Sequence, residues 1–307
     1  MVCQKEFEVI QHTTMNFIEI FLTETTMRSS HYHDDLEIGV VLEGTVELFL
    51  EQHPLTLFPR DIYIINRYQL HSFSSADGKN KILVFQIPST FHNRIYYELS
   101  FFRFNNTISA QEPCHQSVYD LLLSCAALYF SGKPHIELKC ASLLFDALYK
   151  ILSSSDYTIT TERESAAAKN NSLRLSRIID YIGEHFTEPV SLKDIAELEN
   201  ITPCHASHFI KQYLGISFQQ YLNQIRFEHA LQLMKTSELN ILDICMECGF
   251  SSSKYLNQMF VKNFGCSALE YRNMKEKPNL RSNPLPTGTV QKRYTFEQGK
   301  AILDSFL

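Results

Sequence analysis

The chain has 307 residues, 44% hydrophobic and 20% charged, with a formal net charge of −6. That length can hold two cores, the composition is that of a soluble globular protein, and the acidic balance excludes a broad electrostatic attraction to nucleic acid. No apolar run reaches the roughly eighteen residues of a membrane span, and MVCQKEFEVIQHTTM lacks the basic flank and apolar core of a secretory signal, so a cytoplasmic protein with no membrane partner is expected. The eight cysteines follow no framework spacing and are expected to be reduced.

From about Phe17 to Phe85 the chain reads as strands. Glu37 to Leu50 is two β-rich stretches around Gly44, followed by Leu55–Phe58, Asp61–Ile65 and Lys81–Ile87. Turn signals at 43–44, 59–61 and 76–78 separate them, which predicts a small β-barrel or jelly roll. Strand alternation puts His31 and His33 on one face, and Glu37 and Gly44 complete an H-x-H-x3-E-x6-G pattern. This resembles the first cupin motif, and His71 falls where the histidine of the second would. The resemblance implies convergence of His31, His33, Glu37 and His71 inside the barrel. Imidazole and carboxylate together suit a transition metal. Asn66 and Tyr68 replace the second motif's proline and glycine, and no asparagine follows His71 at the usual distance. Three readings stay open: a catalytic metal, a metal for sensing or structure, and a ligand-lining or hydrogen-bonded polar cluster. The last is preferred, with no cofactor expected.

From Glu112 the period becomes helical. Val118 to Tyr129 and Ile136 to Ile151 form a helical hairpin broken at Gly132-Lys-Pro134. Its apolar seam packs on its own barrel or forms a dimer seam, and the sequence leaves both open. Residues 153–172 lack a sustained apolar face and read as a linker.

Leu173 to Phe186 is an amphipathic helix. Ser191-Leu-Lys-Asp194 is a capping box, and Thr202-Pro203 is an N-cap with proline at the first helical position. Asp194-Ile-Ala matches Asp243-Ile-Cys, and Gly215 to Tyr221 matches Gly265 to Tyr271. The offset is about 50 residues with one inserted, a duplicated helix-turn-helix. The intervening helix, Ser217 to Lys235, spans roughly 28 Å, close to the ~34 Å repeat of the major groove. Cys245 and Cys248 form a CxxC, but both lie on the apolar face of a helix, which favours packing over a metal knuckle.

Residues 173–273 resemble the DNA-binding domain of the AraC/XylS family of transcription regulators. The resemblance rests on Ser191 to Ala196, Gly215 to Phe218, Tyr221, Arg226, Ala230, Ile241 to Cys245, Gly249 to Ser253, Phe260, Phe264-Gly265 and Tyr271-Arg272. More loosely, the barrel and hairpin resemble the effector-binding and dimerisation domain of many members. Cys245 stands where the family usually has alanine, Ala268 where it often has proline, and His208 where many relatives have arginine.

The expected architecture is α+β. Residues 1–152 form a cupin-like effector-binding and dimerisation domain and 153–172 a linker. Residues 173–275 form an all-α double helix-turn-helix domain, and 276–307 a C-terminal tail without an assigned role. Both reading helices lack acids, as a helix facing phosphates requires. Cys204, His205, Ser207, His208 and Lys211 in the first helix, and Ser253, Lys254, Tyr255, Gln258 and Lys262 in the second, are the expected DNA contacts. Lys211 and Lys262 are phosphate contacts in this reading, and Gln258 can pair with adenine. His31, His33, Glu37 and His71 are the expected effector contacts. The expected partners are double-stranded DNA, a small-molecule effector of the sugar class, RNA polymerase and a second copy of the chain. The function predicted is ligand-responsive, sequence-specific transcription regulation, not enzymatic. The rival is a metal-dependent cupin enzyme fused to a DNA-binding domain.

Overall fold

The computed structural model describes residues 15, 18–50, 53–76, 78–93, 95–274 and 289–306. The described residues fall into two compact units: residues up to 172 together with those from 289 onward, and residues 173–274.

The first unit is a curled antiparallel sheet. Strands β1 (Glu19–His31), β2 (Leu36–Glu43), β3 (Val46–Leu50), β4 (His53–Leu57), β5 (Ile62–Ile65), β6 (His71–Ser74) and β7 (Lys81–Ile87) come first. A short helix α1 (Ser89–His92) and a 3-10 turn (Tyr97–Phe101) lead to β8 (Phe102–Phe104) and β9 (Thr107–Ile108). The ladder runs β4-β3-β6-β1-β7-β2-β5-β9. The long β1 belongs to both halves of the curl. Its start, Glu19–Thr23, pairs with β7 and its end, Met27–His31, with β6. Asn80 fills the gap, accepting from Thr25 N at 3.0 Å and donating to Thr25 O at 2.8 Å.

Alternation sorts the strands into two cores. Phe21, Val41, Leu48, Tyr63, Phe73, Ile82 and Val84 face one another inside the curl. Ile20, Leu22, Ile38, Val40, Ile64, Leu83 and Phe85 face out and are covered by α2 (His115–Tyr129) and α3 (Ile136–Ser154). Val118, Leu122, Cys125, Cys140, Leu144, Ala147 and Ile151 supply the helical side of that core. The hairpin's seam therefore packs on its own sheet, while Leu138 (79% exposed) and Tyr149 (68%) stay on its far side.

Two expectations need correction. Residues 153–172, read as a linker, carry regular structure: β10 (Tyr157–Ile159) pairs with β8, and α4 (Glu162–His185) follows. Helix formers and a capping box make this helix, in place of an apolar face. Glu164 accepts from Thr161 N at 2.7 Å, and Thr161 Oγ1 accepts from Glu164 N at 3.2 Å. Of the tail expected at 276–307, residues 276–288 and 307 lie outside the described residues, and 289–306 belong to the first unit and not to a separate tail.

The second unit adds α5 (Leu192–Leu198), α6 (Pro203–Leu214), α7 (Phe218–Thr236), α8 (Ile241–Glu247), α9 (Ser253–Phe264) and α10 (Ala268–Asn273) to the C-terminal part of α4. The duplication extends to the backbone. Asn200 (φ 52°) and Gly249 (φ 72°) take the same left-handed step after α5 and α8. Ile201 N then donates to Ala196 O, as Phe250 N does to Cys245 O. Gly215 (φ 72°) and Gly265 (φ 77°) end α6 and α9, and Ser217 and Ser267 open capping boxes directly after. The N-caps Thr202 and Ser252 are 50 apart but the turn residues are 49 apart, so the inserted residue is Ser251. Cys245 and Cys248 are buried, and burial raises both thiols, Cys248 to about 12, so the CxxC is packing.

The described C-terminal residues form β11 (Val290–Arg293) and α11 (Phe296–Leu303). Strand β11 pairs antiparallel with β1: Thr23 faces Arg293 and Thr25 faces Gln291. Thr23 also faces Ile82 of β7, and Met27 faces both Ser74 of β6 and Val290, so β11 covers the opposite edge of β1. Helix α11 buries Leu303 and sets Phe296 against Tyr129 and Phe130.

Candidate effector pocket and DNA interface

Inside the curl the apolar lining gives way to a buried polar cluster. His31 ends β1, His33 follows it, Glu37 enters β2, and His71 opens β6 opposite His31. All four side chains are buried. Each histidine turns Nδ1 to a backbone carbonyl that can only accept: His31 to Ser29 O (2.8 Å), His33 to Asp35 O (2.9 Å) and His71 to Gln69 O (2.9 Å). Nδ1 therefore carries a proton in all three rings, and Nε2 faces inward. The centroids of His31 and His71 are 4.0 Å apart, and those of His33 and His71 5.1 Å.

The Nε2 atoms meet different partners. His31 Nε2 accepts from Arg28 Nε at 3.5 Å. His33 Nε2 lies 3.1 Å from Glu37 Oε2, within hydrogen-bond reach of the carboxylate. His71 Nε2 is buried with no hydrogen-bond partner. Burial would push the Glu37 carboxyl up, but the hydrogen bond and charge of His33, with His71 and Gln86, bring it down to about 2. Tyr63 Oη donates to Glu37 Oε1, and Gln86 Nε2 donates to Oε2, each at 3.1 Å. Burial first, then Glu37, pushes the Tyr63 phenol well up. Burial first, then Arg28 and His33, pushes His31 well down; for His71 it is burial, then His31.

The four expected effector residues thus come together. The ligand atoms of His33, Glu37 and His71 lie within 4.8 Å of one another, while His31 Nε2 is turned to Arg28. Sequence reasoning missed Tyr63 and Gln86. Gln86 is a lone amide in the apolar run Lys81–Ile87, a legible signal. It also missed the Arg28 contact and two residues of the far C-terminus, Gln291 and Arg293, which line the same cavity. Gly39 makes the Tyr63 contact possible: a Cβ there would lie 2.0 Å from Tyr63 Cζ. Tyr68, at the second motif's glycine, keeps the left-handed turn at φ 58°. Asn66, at the proline, ties this loop to Phe104 through its amide and carbonyl.

In the second unit, α6 buries Ala206, Phe209, Ile210 and Leu214, and α9 buries Leu256, Phe260 and Phe264. This leaves Cys204, His205, His208, Lys211, Lys254, Tyr255, Gln258 and Lys262 exposed, with Ser207 and Ser253 half-buried. Tyr255 points out, and Leu256 takes the inward place. Arg177 clamps Glu199 with two 2.7 Å bonds, and Arg226 donates to Phe186 O and Glu188 O.

Residues 195–274 match the family described as a helix-turn-helix domain, and residues 18–86 the family described as a cupin domain. The HTH-type transcriptional activator RhaS of Enterobacter sp. (strain 638) is 23% identical over 79% of this chain and 86% of its own length. The HTH-type transcriptional activator RhaR of Escherichia coli (strain K12) is 23% identical over 81% of this chain and 88% of its own length. The two matched domains and these relatives together have the make-up of AraC-family transcription regulators. Like these activators, the chain joins a cupin-like domain to a helix-turn-helix domain, the layout of a DNA-binding transcription regulator. Among solved structures, the C-terminal domain of AraT, a response regulator from Geobacillus stearothermophilus, is 33% identical over 36% of this chain and 91% of that chain, with a TM-score of 0.32. ToxT from Vibrio cholerae O395 is 16% identical over 84% of this chain and 98% of that chain, with a TM-score of 0.35. Among the described residues no helix is long and apolar enough to cross a membrane.

Proposed function

We propose that the buried cluster of His31, His33, Glu37 and His71 is the effector site, and that a sugar bound there changes operator binding. The observation that carries this reading is a pair of buried acceptors with no partner, His71 Nε2 and Gln86 Oε1, beside an ionised Glu37. Leaving two such atoms unsatisfied costs about 1–3 kcal/mol each, and hydroxyl donors of a polyol would recover it. In the DNA-binding unit, Cys204, His205, Ser207, His208 and Lys211 of α6 and Ser253, Lys254, Tyr255, Gln258 and Lys262 of α9 face two successive major grooves. Helix α7, 19 residues long, spaces them. The chain works as a cytoplasmic homodimer that recruits RNA polymerase and catalyses no reaction.

The test is effector response in a reporter strain, with operator affinity measured separately. His33→Ala and Glu37→Gln abolish the response in this reading, while the binding of effector-free protein to DNA persists. An unchanged response in both variants would place the effector elsewhere.

A second reading is favoured by the histidine tautomers. Metal-ligating histidines donate the other ring N–H to a carbonyl or carboxylate, as all three do here. His33, Glu37 and His71 would hold a divalent transition metal, which would supply a Lewis-acidic centre for an oxygen ligand. Metal in stoichiometric amount in protein purified without added metal, lost in His71→Ala, supports this version. Turnover of a small substrate would move the chain to the enzyme class.

A further inference from the structure

Helices α6 and α9 begin and end alike, so the duplication allows a comparison position by position. An offset of 50 places the extended N-cap Thr202 on Ser252 and the left-handed Gly215 on Gly265. Between them, buried Ala206 falls on Leu256, Ile210 on Phe260 and Leu214 on Phe264. The outward positions then correspond as His205 with Tyr255, His208 with Gln258 and Lys211 with Val261, all exposed. At the first and last of these the second copy is apolar where the first is polar. Tyr255 is 51% exposed and Val261 55%. Helical geometry sets them about 60° to either side of Gln258, one roughly 4.5 Å before it and the other roughly 4.5 Å after it along the axis.

A single exposed apolar residue needs no explanation. Here the setting decides. The same face carries Lys254 and Lys262, and α9 from Ser253 to Phe264 contains no Asp or Glu. Asn257 belongs to the scaffold, its Oδ1 accepting from Ala268 N at 2.9 Å. An acid-free face that mixes cations with open apolar surface complements the major groove. Phosphates line the rims of that groove, and the C5-methyl of thymine is the apolar group on its floor. Val261 cannot bind a phosphate, as Lys211 would at the matching place, but Lys262 beside it keeps the charge.

We propose that the two helices read DNA by different chemistry: Tyr255 and Val261 contact the C5-methyl groups of thymines on either side of the base pair met by Gln258, and α6 makes no such contact. The proposal rests on the reading of α9 as a helix in the major groove. It makes Val261, which was not among the contacts expected from sequence, a specificity-determining residue. It also makes the operator's two half-sites unlike, although the two readers arose by duplication.

The test begins with selection of binding sites from a random duplex pool by the full-length protein. In the selected site each thymine is then replaced singly by deoxyuridine, which removes only the methyl group, and affinity is measured by fluorescence anisotropy. Wild-type protein should bind about fourfold more weakly at two positions, the loss of one buried methyl group each, and uracil in the half facing α6 should be neutral. Val261→Ala should be insensitive to uracil at one of the two positions and Tyr255→Ala at the other. A selected site without thymine beside the Gln258-dependent base pair, or uracil that costs the wild type nothing, overturns methyl readout. Sensitivity unchanged in both variants overturns its assignment to Tyr255 and Val261, and equal sensitivity in both halves overturns the asymmetry. In each of these cases α9 stays in the groove if Gln258→Ala still relaxes preference at one base pair. Failure to select any sequence, or Gln258→Ala without effect on preference, overturns the groove reading itself.

Discussion

The pocket depends on a residue with no side chain. Gly39 lets the Tyr63 ring cross β2 and reach Glu37. Gly39→Ala should displace that ring, cost about 1–3 kcal/mol through overpacking, and lower the denaturation midpoint of the first unit. The histidines make a pH prediction with a definite sign. His31 and His71 are buried with pKa values well below 6.5, so the unfolded chain takes up protons that the folded chain does not. Their contribution is present above about pH 6.5 and falls as the pH drops below it. Glu37, depressed from 4.5 to about 2, adds a second loss between those values. Chemical denaturation of the wild type should show stability falling from about pH 7 to pH 5. His71→Asn should show a shallower fall, and equal slopes would mean that His71 is not held neutral. These residues were largely legible. Alternation put His31 and His33 on one face, because period-two geometry follows from sequence, and the cupin resemblance implied their convergence with Glu37 and His71. Tyr63 and Arg28 were not, because their roles come from register across strands and not from local spacing.

At the level of elements, the duplicated turns offer an internal comparison. Asn200 and Gly249 hold the same left-handed step, but a Cβ at 249 would lie 2.5 Å from Thr187 O. Gly249→Asn should therefore destabilise the second helix-turn-helix by more than the roughly 1 kcal/mol of a left-handed non-glycine. Asn200→Gly should change stability by a few tenths of a kcal/mol. Thermal unfolding of the two variants side by side decides it; equal losses would show that the contact relaxes. The helix pairs, their caps and the hairpin were readable because periodicity and capping chemistry are local. The N-terminal turns of α4 were not read as helix because they lack an apolar face. The signal present was Thr161-Glu162-Arg163-Glu164, a capping box ahead of alanines. Strand β11 carries no such signal. Val290 to Arg293 becomes a strand by pairing with an edge more than 260 residues away in sequence, and no local pattern encodes that partner.

For the whole molecule the governing quantity is charge. With 34 acids against 28 lysines and arginines, the chain has no general attraction to a polyanion, so its affinity for DNA rests on a few placed cations. Each phosphate contact contributes about 0.9 to the slope of log affinity against log salt. Lys211→Ala and Lys262→Ala should each lower that slope by about one and weaken cognate and unrelated DNA alike, because phosphate contacts position without specifying. Gln258→Ala should leave the slope unchanged and weaken only the cognate site, by about 1–3 kcal/mol, with relaxed preference at one base pair. Fluorescence anisotropy across a salt series with both DNAs separates the two classes. If Gln258→Ala weakened unrelated DNA equally, α9 would lie along the backbone and not in the groove. If neither lysine moved the slope, the acid-free faces of α6 and α9 would not be the surface that meets phosphate. If α6 and α9 are the two readers proposed above, a regulator with this charge balance has little non-specific affinity to fall back on, and its occupancy of an operator would depend on both helices reading at once.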